Sequence, residues 1–100
     1  MKPATRAAWN ALRINATAGR SVHLRDLFAA DTQRFAKLSV TWNDWLLDHS
    51  KQRVTVETMG LLHGLWHAAD VPGWITRMRA GDAINHTEGR AALHIALRHP

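Results

Sequence analysis

One short stretch breaks the helical period of this chain and constrains its fold more than any other: Val40-Thr41-Trp42 and Trp45-Leu46-Leu47, with Asn43-Asp44 between them. Both runs are β-prone, and Asn-Asp tolerates the positive backbone angles that a tight turn demands. The pattern predicts a small hairpin. On either side of it the apolar residues return to helical spacing, so the expected fold is mainly α with one small β-hairpin.

The helical segments announce their ends. A first helix is expected from about Pro3 to Ala16, with Pro3 suited to the first turn, Ala8, Trp9, Leu12 and Ala16 near one face, and Gly19 as a stop. Ser21 can cap a second helix carrying Leu24, Leu27 and Phe28, and Asp31 can open a short helical turn that brings Phe35 and Leu38 inward. After the connector Ser50-Lys51-Gln52-Arg53, Thr55 can cap a helix running to about Asp70, with Val56, Met59, Leu62 and Trp66 along one face. This helix is expected to be the most buried, so that Trp66→Ala would cost several kcal/mol (~3–5). Val71-Pro72-Gly73 is expected to turn the chain before a short helix holding Trp74, Ile75 and Met78. Gly81 ends that helix, Asp82 to His86 form a polar crossing, and Thr87 caps a last helix from Glu88 to Arg98. Glu88 then sits in a first turn, where the helix dipole favours an anion.

About 100 residues allow one compact unit at most. The material for a core is present, since 46% of residues are apolar and five are tryptophan. Without cysteine the chain builds neither a disulfide framework nor a thiolate metal site, which is compatible with the cytoplasm. The N-terminus lacks the apolar run of a secretory signal, and no stretch approaches membrane-spanning length. A soluble intracellular protein, with no membrane partner, is the expectation. A formal charge of +5 invites a nucleic-acid or acidic partner. The basic residues are scattered, however, and often lie near Asp or Glu, so solvated helix faces are expected and nucleic acid is not. A small basic helical binding module for an acidic partner or nucleic acid is the alternative, and salt-dependent binding would favour it.

Several residues can be weighed as chemical groups. His63 and His67 are four apart on one helix face, and Asp70 follows as a conceivable third metal ligand. The zinc-protease pattern needs a Glu directly after the first histidine, and Gly64 stands there, so packed or surface histidines are expected. Ser50-Lys51 pairs a hydroxyl with an amine, but neighbours in a strand point to opposite faces, and Lys51 reads as structural. His94 can titrate near neutrality but reads as a helix residue that packs or hydrogen-bonds. Glu88 and Arg90 near a helix start can hold a sugar hydroxyl or phosphate; the plainer roles are dipole complementation and pairing with a nearby acid. There is no Gly-rich phosphate cradle or second acid/base group. No catalytic residue, cofactor-binding residue or metal ligand is therefore assigned within these 100 residues.

The stretch Gly81 to Arg98, GDAINHTEGRAALHIALR, resembles the segment of glucose-6-phosphate isomerases (phosphoglucose isomerases) that closes their N-terminal helical region. The resemblance runs upstream through Leu24-Arg25-Asp26-Leu27-Phe28 with Asp31 and Arg34. It also includes Asp48-His49-Ser50-Lys51, which is similar to the family's D-aromatic-S-K-N segment. His49, Gln52 and Asp82-Ala83 depart from the family's usual residues. The resemblance implies that residues 1–100 are an N-terminal fragment, ending at the entry to the first sugar-phosphate-binding domain. The parent would be an α/β enzyme with two three-layer sandwich domains. It would interconvert glucose 6-phosphate and fructose 6-phosphate in glycolysis and gluconeogenesis, as a cytoplasmic homodimer without cofactor. In that family a carboxylate base moves a proton through a cis-enediol, while histidine and lysine assist ring opening and Ser/Thr side chains hold the phosphate. Those groups would lie downstream, so this chain alone is expected to be inactive.

Overall fold

A computed structural model describes residues 1–98. Five α-helices and one hairpin follow in the order α1 (Pro3–Gly19), α2 (Leu24–Ala30), α3 (Arg34–Lys37), β1 (Ser39–Trp42), β2 (Trp45–Asp48), α4 (Val56–Ala68) and α5 (Val71–Ala80), before a 3-10 turn at His94–Arg98. The expectation of a mainly α chain with one hairpin holds. The chain divides into two units, Met1–Leu65 and Trp66 onward.

In the first unit, α1 starts with Pro3 in its first turn, where a missing N–H costs nothing, and runs three residues past Ala16 to Gly19. Its half-buried stripe is Thr5, Ala8, Leu12, Asn15 and Gly19, while Trp9 and Ala16, expected on that face, are exposed. The cap of α2 is His23, not Ser21. Val22 N–H bonds Gly19 C=O (3.2 Å), so a tight turn occupies Arg20 and Ser21. The extended backbone then falls at His23, whose Nδ1 accepts the Arg25 N–H at 3.0 Å. Asp31 does open the next turn: its Oδ1 accepts Gln33 N–H (2.9 Å) and its Oδ2 accepts Lys37 Nζ (2.9 Å). Leu38 is buried, at 1% exposed, but Phe35 is half exposed.

The hairpin forms where its pattern placed it. Val40 pairs with Leu47, Thr41 with Leu46 and Trp42 with Trp45, and the positive backbone angle of the turn falls on Asn43 (φ 51°). At the open end His49 N–H bonds Leu38 C=O at 3.0 Å.

Thr55 caps α4 as expected, through a reciprocal pair with Thr58. Thr58 N–H donates to Thr55 Oγ1 (3.1 Å) and Thr55 N–H to Thr58 Oγ1 (3.1 Å). Thr58 spends its own hydroxyl hydrogen on Asn15 Oδ1 of α1 (2.8 Å), so the Thr55 hydroxyl is the donor in the 3.0 Å bond between the two threonines. That chain of hydroxyls ties the start of α4 to α1. The helix is not the most buried element. None of its residues is buried; of the expected apolar face Val56 is 57%, Trp66 44% and Leu62 40% exposed, and Met59 is half-buried.

In the second unit Val71-Pro72-Gly73 is the first turn of α5 rather than a reverse turn. Proline fits both readings from sequence, and Asp70 decides between them. It adopts the left-handed conformation (φ 54°) and its Oδ1 accepts Gly73 N–H at 3.2 Å, which caps the helix. Gly81 ends α5 as expected, at φ 81°, with Gly81 N–H bonded to Met78 C=O (3.2 Å) and Asp82 N–H to Arg77 C=O (3.0 Å).

The largest departure follows. Residues 85–90 form a tight loop, closed by an Asn85–Arg90 bridge, and no helix starts at Glu88. Asn85 is the organiser. Its side-chain oxygen accepts Thr87 Oγ1–H (2.8 Å) and Glu88 N–H (3.3 Å), and its carbonyl accepts Gly89 N–H (2.7 Å) and Arg90 N–H (3.3 Å). Thr87 therefore donates to Asn85 instead of capping a helix, and Gly89 takes a left-handed angle (φ 64°) that a glycine adopts at no steric cost.

Candidate functional site

The most built site is polar, and it lies in the first unit around residues 48–54. The single turn α3 carries Arg34 into it, where only 4% of the residue remains exposed. Arg34 Nε donates to Ser50 C=O (2.9 Å), one terminal nitrogen to Val54 C=O (2.8 Å) and the other to Gln52 C=O (2.8 Å). The planar guanidinium thus grips alternate carbonyls of one segment of turns and bends, a geometry that a lysine ammonium cannot match. The Phe28 ring lies beneath the cation at 5.3 Å from its centroid, adding attraction for a charge that has left water.

A second knot holds the start of the same segment. Asp48, the last residue of β2, accepts Ser50 N–H (2.9 Å) and Ser50 Oγ–H (2.6 Å) on one oxygen and Lys51 Nζ (3.1 Å) on the other. The Ser50 hydroxyl first, then its N–H and the Lys51 ammonium, hold the Asp48 carboxyl down at about 2. A carboxylate that weakly basic does not take a proton at neutral pH, and Ser50 is fully buried. Ser50 and Lys51 lie in a turn rather than a strand and reach the same carboxylate. Each donates to Asp48, and among the hydrogen bonds of the described residues none joins the two to one another.

The other candidates are dispersed. His63, His67 and His94 are exposed, and among the described residues no three His, Cys, Asp or Glu side chains converge as metal ligands. Glu88 is exposed in the 85–90 loop, away from any helix start, and Arg90 is held there by its backbone. Its expected pairing with an acid is not among the ion pairs of the described residues, which join Lys37 to Asp31, Lys51 to Asp48 and Arg77 to Asp70. His86, at the end of the polar crossing, meets the Trp74 ring edge-on at 5.2 Å, and Arg77 stacks on that ring at 4.2 Å.

A cleft of about 450 Å³ opens beside α1 and the start of α4, lined by Asn15, Arg20, Arg53, Thr55 and Thr58 among others. Its hydroxyls already serve one another and Asn15, and Arg53 donates to the Arg20 carbonyl at 3.3 Å. No described helix is long and apolar enough to cross a membrane.

Two motifs distant in sequence, Asp31 with Arg34 and Asp48 with Ser50-Lys51, therefore meet in one structure. Comparison with known proteins agrees with the resemblance those motifs carry. The family model described as phosphoglucose isomerase matches residues 48–100. A protein named glucose-6-phosphate isomerase from Dechloromonas aromatica is 55% identical over 98 residues, covering 98% of this chain and 19% of the relative. One named glucose-6-phosphate isomerase 2 from Chromobacterium violaceum is 47% identical over 92 residues, covering 92% of this chain and 17% of the relative. The chain thus spans about a fifth of the length of these relatives. With more than half its residues inside the family model, this chain belongs to the phosphoglucose isomerase family.

Proposed function

We propose that residues 1–100 form the N-terminal helical segment of a glucose-6-phosphate isomerase, contributing architecture to a reaction whose catalytic groups lie elsewhere in the polypeptide. The observation that carries this reading is the 55% identity over 98% of the chain to a protein named for that activity. The knots around Arg34 and Asp48 support the architectural part, because their polar groups are occupied by one another and present nothing to a sugar phosphate. The whole enzyme would interconvert glucose 6-phosphate and fructose 6-phosphate without cofactor, as a cytoplasmic homodimer, with none of His63, His67, Glu88 or His94 moving a proton.

The test is a graft. This chain replaces the 98 aligned residues of the Dechloromonas aromatica isomerase, and glucose 6-phosphate turnover is measured beside that of the free chain, both made in a host lacking its own isomerase. An active graft and an inert free chain are expected. Turnover by the free chain contradicts the assignment of catalysis elsewhere, and a folded but inactive graft contradicts the assignment to this enzyme.

A further inference from the structure

The register of the hairpin sorts its side chains onto two faces. Residues paired across an antiparallel ladder share a face, and so do residues two apart. Val40, Trp42, Trp45 and Leu47 therefore stand together on one side, and Ser39, Thr41, Leu46 and Asp48 on the other. The first face is wholly apolar, yet Val40 is 56%, Leu47 64%, Trp42 68% and Trp45 72% exposed. The sheet has two strands only, and a two-stranded hairpin is marginal in water unless something covers its apolar face. Its base is fixed to its own unit by the His49 to Leu38 hydrogen bond and by the Asp48 and Arg34 knots. The face is thus held in place and left bare.

We propose that this face docks against the part of a phosphoglucose isomerase polypeptide that has no counterpart in these 100 residues. The proposal rests on the functional reading above, and it names the surface through which the segment joins the enzyme. Three observations favour that occupant. The chain spans 19% of the length of its Dechloromonas relative, so most of such a polypeptide is available to cover the face. The face offers roughly 500 Å², short of the ~800 Å² per partner of a stable complex between separate chains; within one polypeptide the effective concentration makes so small a patch sufficient. Finally, Asp44, in the exposed turn between the two tryptophans, adds a negative charge beside the face, which disfavours an anionic lipid surface or a nucleic acid as its cover.

The same graft tests it. Trp42→Gln with Trp45→Gln is introduced into both the free chain and the graft, with Thr41→Val on the opposite face as control, and thermal unfolding is followed. The double substitution is expected to lower the midpoint of the graft by about 5 °C or more and that of the free chain by less than about 1 °C; the control leaves both nearly unchanged. The milder Trp45→Leu graft, shifted in the same direction by a smaller amount, keeps the result readable where the double variant does not fold. Equal shifts in free chain and graft overturn the proposal, as does an active graft whose midpoint ignores the substitutions. It is likewise overturned by a free-chain dimer, seen by sedimentation, or by binding to phosphatidylserine vesicles, if the double substitution abolishes either. An inactive wild-type graft sinks the functional reading itself and is told apart from these outcomes by the turnover assay.

Discussion

Two neighbouring regions of the first unit reverse the usual order of inside and outside. In the segment at 48–54 the buried side chains are polar, Arg34 and Ser50, each held by hydrogen bonds. In the hairpin that leads into it the apolar side chains, Trp42 and Trp45 above all, are in solvent. The only apolar side chain buried among the described residues is Leu38, just before β1, whose carbonyl accepts the His49 N–H. Apolar burial is the dominant favourable term of folding, and a chain this rich in tryptophan realises little of it within the described residues. The polar knots act differently, setting the geometry at the base of the hairpin without help from a large core.

Substitutions can break that contrast. The largest effect is expected from Arg34→Ala, which strips three carbonyls of their charged donor and should cost about 4 kcal/mol in denaturant unfolding. Arg34→Lys should recover less than half, because an ammonium cannot span alternate carbonyls; full recovery would mean the charge alone matters. Ser50→Ala removes one short bond to a carboxylate in a fully buried position and should cost roughly 1–2 kcal/mol. Trp66→Ala, on an exposed face of α4, should cost about 1–2 kcal/mol instead of the larger loss that a central helix would show. Smallest is the double substitution of Trp42 and Trp45 in the free chain, within about 0.2 kcal/mol.

Acid sharpens the same comparison. The Asp48 carboxyl titrates near 2 in the folded chain against 3.8 for an unperturbed aspartate. A lowered folded value stabilises above the unfolded one, so the contribution is whole above about pH 4 and is lost as the pH falls from there through about 2. Asp31, lowered first by its bond to Lys37, acts in the same direction. The wild-type chain should therefore lose stability across that window, and Asp48→Asn should flatten the loss. Parallel acid profiles for the two would show that the Asp48 knot is not formed in solution.

Local chemistry is legible from sequence where the signal and its partner lie within a few residues. Pro3, the Asn43-Asp44 turn, the Thr55 cap and the Gly81 stop are of this kind, and each performs as expected. Arg34 stands out in the sequence only through a family resemblance. Its carbonyl partners lie 16 to 20 residues away, and nothing in local spacing marks a backbone carbonyl as an acceptor. The expectation at Glu88 fails for a different reason. Thr87-Glu88 satisfies the pattern of a helix start, but Asn85, two residues earlier, has a shorter route to the same N–H groups. For Trp66 the expectation of burial fails because an apolar helical face shows which side seeks cover, not whether the cover lies within the same 100 residues.

Amide hydrogen exchange compares the two regions most directly, read residue by residue in the free chain and in the graft. The Arg34-held segment at 50–54 should be protected alike in both. The hairpin amides of Ser39–Asp48 should exchange quickly in the free chain and slow by at least about tenfold in the graft. Hairpin exchange that is equally slow in both would show that the face needs no partner outside these 100 residues, and would contradict the account.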